Sequence, residues 1–298
     1  MPRSMLNATL QLTLGLILWH TAAVVARAGT VVWPAITDPP TNVHVPGRWV
    51  WIDLFTEDAD AARQFYGKLF GWTFSAPDAA KSAYEVARVG NEPVGGIIQR
   101  NHSYVKERGS RWVGMISVSD VAKAASYAAE HGGKILVPPR NLRGRGQVAF
   151  LADPEGAPFG VIHSARGDPL DYLGGVNEWV WIELWAKDPK AMAEFYSGLA
   201  GYEVASMPLA GGRVAFELSS GGYTRGRVMD WSANGYPSVW VPYLRVADVK
   251  KTVNAAVVAG GRVVVAPSKK LRNGSVALIT DPSGAAVGLV HMMGGRRK

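Results

Sequence analysis

The chain has 298 residues, 48% of them hydrophobic and 19% charged, and a formal net charge of +8. That length exceeds the ~100–200 residues of one ordinary domain, so two domains are expected, and the composition excludes an extensively disordered chain. With no cysteine, disulfides, thiolate metal sites and cysteine nucleophiles are excluded as well.

Residues 1–28 read as a signal peptide. Arg3 precedes an apolar run from Leu10 to Ala26, and Ala26-Arg27-Ala28 supplies a small-x-small cleavage site. The run is shorter than the ~20 residues a spanning helix needs and contains Gln11, Thr13 and His20. The expected location is therefore the periplasm, with no membrane association once the leader is removed. Residues 29–45 follow as an N-terminal linker.

From there the chain repeats itself. Trp49-Val50-Trp51-Ile52-Asp53-Leu54 returns as Trp179-Val180-Trp181-Ile182-Glu183-Leu184. Phe65-Tyr66 and Gly71 return as Phe195-Tyr196 and Gly201, Trp112 as Trp240, Asp153-Pro154 as Asp281-Pro282, and His163 as His291. The two copies span 46–164 and 176–292, joined by a linker at 165–175 and followed by a basic tail at 293–298.

In chain order, residues 48–55 alternate as a strand does, and the period then changes. Asp58 can cap a helix in which Ala62, Phe65, Tyr66 and Leu69 form one apolar stripe, and Gly71 suits the left-handed C-terminal position. In the second copy Asp188 caps and Pro189 fits the first helical turn. Short strands follow near 72–75, 82–89 and 93–99. A second unit begins with a strand at 111–118 and a helix from Asp120, with Val121, Ala124, Ala125 and Ala128 on one face. Its strands lie near 134–137, 147–152 and 158–163, the last two joined by a type I turn at Asp153-Pro154-Glu155-Gly156. The chain thus reads as four βαβββ units.

A strand, then D-x-x-x-A-x-x-F-Y-x-x-L-x-G, and later D-P-x-G before a final strand, resembles the vicinal oxygen chelate superfamily of glyoxalases, bleomycin-resistance proteins and extradiol dioxygenases. The resemblance covers both copies. It implies an α+β fold of two tandem domains, each of two βαβββ units forming a cup-shaped mixed sheet with helices on the outer face. In the family, substrate and metal sit inside the cup. Here Trp51, Gly114 and Gly160, and in the second copy Trp181, Pro242 and Gly288, stand where the family's ligands would be. Neither indole nor glycine side chains hold a divalent ion. Glu85 and Glu217 remain as candidates for one carboxylate position, which is not a site. No metal and no cofactor are expected. His163 and His291 fall on the face opposite Gly160 and Gly288 by strand alternation, which makes them structural.

The same alternation places Trp49, Trp51, Asp53 and Phe55 on the inner face of the first cup and Trp179, Trp181, Glu183 and Trp185 in the second, with Trp112 and Trp240 starting the facing strands. Ligand binding is expected at Trp49, Trp51, Trp112, Trp179, Trp181 and Trp240, an aromatic clamp for an aromatic or cationic molecule. A carboxylate walled by indoles has its pKa raised, so Asp53 and Glu183 are the candidate acid/base groups. Three functions stay open: a metal-free binding protein; a lyase, isomerase or dioxygenase using Asp53, Glu183 or an unconventional metal site; or, where the tryptophans simply fill the cups as core, an interaction scaffold. Basic residues cluster only at Arg140, Arg143 and Arg145, at Lys269, Lys270 and Arg272, and in the tail. That gives no continuous face for nucleic acid. A monomer is expected, the tandem pair standing in for the dimer of single-domain relatives.

Overall fold

The structure is a computed structural model that describes residues 32–76, 84–100, 109–171, 174–231 and 237–292. The leader and the basic tail lie outside the described residues. Among the described residues no helix is long and apolar enough to cross a membrane.

The first copy runs β1 (Trp49–Thr56), α1 (Ala59–Phe70), β2 (Thr73–Ser75), β3 (Tyr84–Val89), β4 (Glu92–Gln99), β5 (Arg111–Ser117), α2 (Val121–Glu130), β6 (Lys134–Leu142), β7 (Gly146–Ala152) and β8 (Pro158–Ser164). The second runs β9 (Trp179–Ala186), α3 (Pro189–Ala200), β10 (Glu203–Pro208), β11 (Val214–Ser220), β12 (Tyr223–Asp230), β13 (Val239–Arg245), α4 (Val249–Val258), β14 (Arg262–Val265), β15 (Val276–Thr280) and β16 (Ala286–Val290). Each copy forms one eight-stranded sheet, in the orders β2-β3-β4-β1-β5-β8-β7-β6 and β10-β11-β12-β9-β13-β16-β15-β14. The first strands of the two units, β1 and β5 or β9 and β13, pair antiparallel at the centre.

Local chemistry sets the helix ends. The Asp58 carboxylate accepts from the Ala61 N–H at 2.9 Å and the Asp188 carboxylate from the Ala191 N–H at 3.0 Å, each satisfying an otherwise orphaned helix donor. Gly71 and Gly201 terminate α1 and α3 with φ of 67° and 73°, where a side chain would be strained.

The outer faces do not simply face solvent. Val121, Ala125 and Ala128 of α2 share one buried cluster with Met192, Phe195 and Tyr196 of α3, and Phe65, Tyr66 and Phe70 of α1 share another with Val249, Val253 and Ala256 of α4. Each core is therefore built from one half of each copy. A hydrogen-bond chain repeats across both junctions. Tyr66 donates to Asp281 at 3.2 Å and accepts from Trp112 at 2.8 Å, while Tyr196 donates to Asp153 at 3.1 Å and accepts from Trp240 at 2.7 Å. The repeated Phe-Tyr and Asp-Pro motifs thus hold the two copies together. Burial raises the Asp153 carboxyl to about 6, against the opposing pull of the Ala157 N–H and the Tyr196 hydroxyl.

The segment expected as a linker at 29–45 is, in its described part, structural. Ile36 and Trp33 pack into the concave face of the first sheet, and the Trp33 N–H donates to the Arg143 carbonyl at 2.8 Å.

Candidate functional site

Strand alternation fails at one step in each copy, and the same step. Between Trp49 and Trp51 the partner strand advances by a single residue, from Ile116 to Met115, and between Trp179 and Trp181 it advances from Leu244 to Tyr243. Val50 and Val180 are the extra residues of two β-bulges, which turn a side chain to the other face. Val50 and Trp51 accordingly pack on the concave side of the first sheet, and Val180 and Trp181 on that of the second.

Trp49 and Trp179 fall on the outer side, a correction to the expected clamp. The Trp49 ring packs on Trp240 at 4.7 Å, and the Trp179 ring on Trp112 at 5.0 Å. Trp112 and Trp240 are on the outer side too, because they pair with Leu54 and Leu184 rather than with cup-facing residues. Of the six tryptophans expected to bind ligand, the structure brings only Trp51 and Trp181 into the cups. Glu85 also faces outward, where Arg63 of α1 donates to it at 2.5 Å.

In the first cup, Asp53 accepts from Trp51 Nε1 at 2.8 Å and from the Tyr84 hydroxyl at 2.9 Å. Arg145 lies 3.5 Å from the same carboxylate and donates to Tyr84 at 2.6 Å and to the Pro34 carbonyl at 3.1 Å. Its guanidinium sits 5.5, 5.0 and 4.8 Å from the rings of Trp33, Trp51 and Tyr84. Asp53 and Arg145 are each 1% exposed. Burial raises the Asp53 carboxyl above the ordinary carboxylate range, and Arg145 pulls it back down. The cation that an aromatic, acidic cup would attract is thus supplied by the chain itself, and Asp53 is enclosed rather than presented to a substrate.

In the second cup the carboxylate is again a floor. Glu183 Oε1 accepts from Trp181 at 3.1 Å, and Oε2 accepts from the Tyr243 hydroxyl at 2.7 Å and from Trp185 at 3.4 Å. Burial, then the Glu183 charge, holds the Tyr243 hydroxyl well above its ordinary range, so it remains a proton donor. The cation is differently placed. Along the repeat Asn273 stands where Arg145 stands in the first copy, and Arg272, one position earlier, is only 3.9 Å from Glu183 with its side chain 52% exposed. A cavity of about 280 Å³ opens beside it, walled by Trp181, Tyr243, Val180, Val290 and Met292 and by the polar Arg227, Arg272, Ser275 and His291. Arg227 donates to Glu217 at 2.7 Å and lies 5.6 Å from the Trp181 ring. Tyr243, Arg227 and Ser275 were not legible as site residues. The clue to Tyr243 is its pairing opposite Trp181, which requires the bulge.

The positions the resemblance assigns to metal ligands do not fit one. A Cβ on Gly160 would lie 2.8 Å from Met115 Cγ, and one on Gly288 would lie 2.3 Å from the Tyr243 ring, so these glycines make room for neighbouring side chains. Among the described residues no three His, Asp or Glu side chains meet as a metal site. His163 and His291 each set Nδ1 against a backbone carbonyl, of Val118 at 3.1 Å and of Val246 at 3.3 Å.

Two eight-stranded sheets, each built from two βαβββ units, with one concave face filled by its own chain and a cavity on the other, define a tandem cup protein. The comparisons place it further. Residues 49–162 match the glyoxalase-like domain model, and residues 179–289 match that of the Glyoxalase/Bleomycin resistance protein/Dioxygenase superfamily. The chain belongs to that superfamily as a tandem member. It is 29% identical over 249 residues to the "Putative glyoxylase CFP32" of Mycobacterium tuberculosis, covering 83% of this chain and 95% of that one. It is 26% identical over 277 residues to the anthracycline biosynthesis protein DnrV of Streptomyces peucetius, covering 84% and 95%. The fold is shared with the Mn(II)-bound glyoxalase of Novosphingobium aromaticivorans, with a TM-score of 0.56 and 16% identity over 85% of this chain and 84% of that one. The 2,2',3-trihydroxybiphenyl 1,2-dioxygenase of Sphingomonas wittichii gives a TM-score of 0.54 at 14% identity over 84% and 91%.

Proposed function

We propose that the protein binds a small aromatic molecule in its second cup alone, as a metal-free monomer outside the cytoplasm. The observation that carries this reading is the contrast between the cups. A buried Asp53–Arg145 pair fills the first, and a cavity of about 280 Å³, close to the ~300 Å³ lower end of small-molecule pockets, lies against Trp181 and Tyr243 in the second. Indole and phenol walls offer stacking area with hydrogen-bonding edges. The apolar leader supports export, and the small-residue and aromatic fillings at the expected ligand positions support binding without a metal ion.

Acid/base catalysis is the weaker reading. Asp53 is sealed, and Glu183 already accepts three donors while Tyr243 is held as a neutral phenol. Sequestration of the bound molecule asks nothing more of these groups than the geometry provides.

Thermal unfolding in the presence of an aromatic compound library tests the proposal. A ligand at about 100 times its Kd stabilises the folded state by about 2.7 kcal/mol. The Ser275→Trp variant, which fills the cavity, is expected to lose the shift. A library that shifts nothing, or a shift that survives in Ser275→Trp, would overturn the reading.

A further inference from the structure

We infer that the ligand of the second cup is a planar aromatic anion, its ring against Trp181 and its acid group held between Arg227 and Arg272. This rests on the second cup being the binding site and names the chemistry it selects.

The charges that line the cavity are of one sign. Arg227 and Arg272 face it, whereas Glu183 and Glu217 do not line it. Glu183 is 6% exposed, and its oxygens are covered by Trp181, Trp185 and Tyr243, so a cationic ligand would have to strip three donors from it before making contact. Both arginines, by contrast, have capacity to spare. Arg227 gives one of its nitrogens to Glu217 at 2.7 Å and faces the cavity beside the Trp181 ring. Arg272 reaches Glu183 only at 3.9 Å and is half exposed, so turning to a nearer oxygen costs it little.

The first cup serves as an internal control. There the arginine donates to Tyr84 and to the Pro34 carbonyl and lies against Asp53, all within its own chain, and it is sealed. In the second copy the arginine stands one residue earlier in the same loop, at a φ of 44°, and its guanidinium ends at the mouth of the cavity. Guanidinium groups pair planar oxyanions in a two-toothed geometry that an amide or amine cannot reproduce.

Three probes of one shape separate the outcomes: 2-naphthoate, neutral 2-naphthamide and cationic 2-naphthylmethylammonium, titrated into the full chain at pH 7.5 by calorimetry. The inference expects naphthoate to bind at least tenfold more tightly than the amide, with the cation weakest. It also expects Arg272→Gln to weaken naphthoate at least tenfold while changing the amide less than twofold. Equal affinity for all three would overturn it and leave aromatic binding intact, as would an Arg272→Gln effect shared equally by the amide. Tightest binding of the cation would overturn it and make Glu183 the anchor. No binding of any probe would overturn it together with the function on which it rests.

Discussion

Replacing Arg145 by Met should destabilise the protein strongly, and the size follows from its surroundings. Removing one member of a buried ion pair costs about 3–5 kcal/mol, mostly because the other charge is left in a poor solvent. Asp53 keeps its bonds from Trp51 and Tyr84, which places the cost toward the lower end, about 3–4 kcal/mol at pH 7. The Met side chain preserves much of the packing against Trp33, Trp51 and Tyr84, so the loss is electrostatic. Without the guanidinium, the Asp53 carboxyl, already raised by burial, rises further. A raised folded-state carboxyl favours folding below its unfolded value and loses that support as pH climbs through the folded one, so the deficit of Arg145→Met should shrink as the solution is acidified. Adding Asp53→Asn should recover about 2–3 kcal/mol. Urea unfolding of the wild type, both single variants and the double variant at pH 7 and pH 5 measures all of this. A single variant within 1 kcal/mol of wild type, or a double variant no better than Arg145→Met, would refute the account of the first cup.

The junction between copies supplies a second pH dependence. Asp153, at about 6 in the folded state against an ordinary 3.8, supports folding fully below about pH 4 and loses about 3 kcal/mol of that support as pH rises through 6. Asp153→Asn should flatten the stability profile between pH 4 and 7, and an unchanged slope would count against the buried-carboxylate account. Gly288→Ala should cost more than Gly160→Ala, because the first meets the rigid Tyr243 ring and the second a flexible Met115 side chain. About 1–3 kcal/mol is expected for the first, and the reverse order in thermal melts would contradict the packing described. Elemental analysis of freshly purified protein should find transition metal well below one ion per chain, and a stoichiometric metal would overturn the metal-free reading.

The parts of the fold legible in the sequence are those set locally. Asp58, Gly71, Asp188 and the Asp-Pro turns act within a few residues of themselves, and the repeat doubles each signal. The tryptophans were misplaced because their faces depend on a bulge and on pairing with a distant strand. Trp49 and Trp51 are two residues apart and would share a face in a regular strand, yet the extra residue Val50 separates them. Arg145 was visible only as one charge in a basic loop. Its burial needs Tyr84 on one side and Trp33 and Pro34 on the other, from segments far apart in the chain. The closure of the first cup takes Trp33 and Ile36 from the N-terminal segment together with Arg145 from a distant loop, an assembly that no composition or periodicity reports.

The stoichiometry of 2-naphthoate binding addresses the difference between the cups most directly. Calorimetric titration of the full chain should give one molecule bound per chain, abolished by Ser275→Trp. Two molecules per chain, or one that persists when the second cup is filled, would mean that the first cup accepts ligands too, and the division of roles between the cups would be wrong.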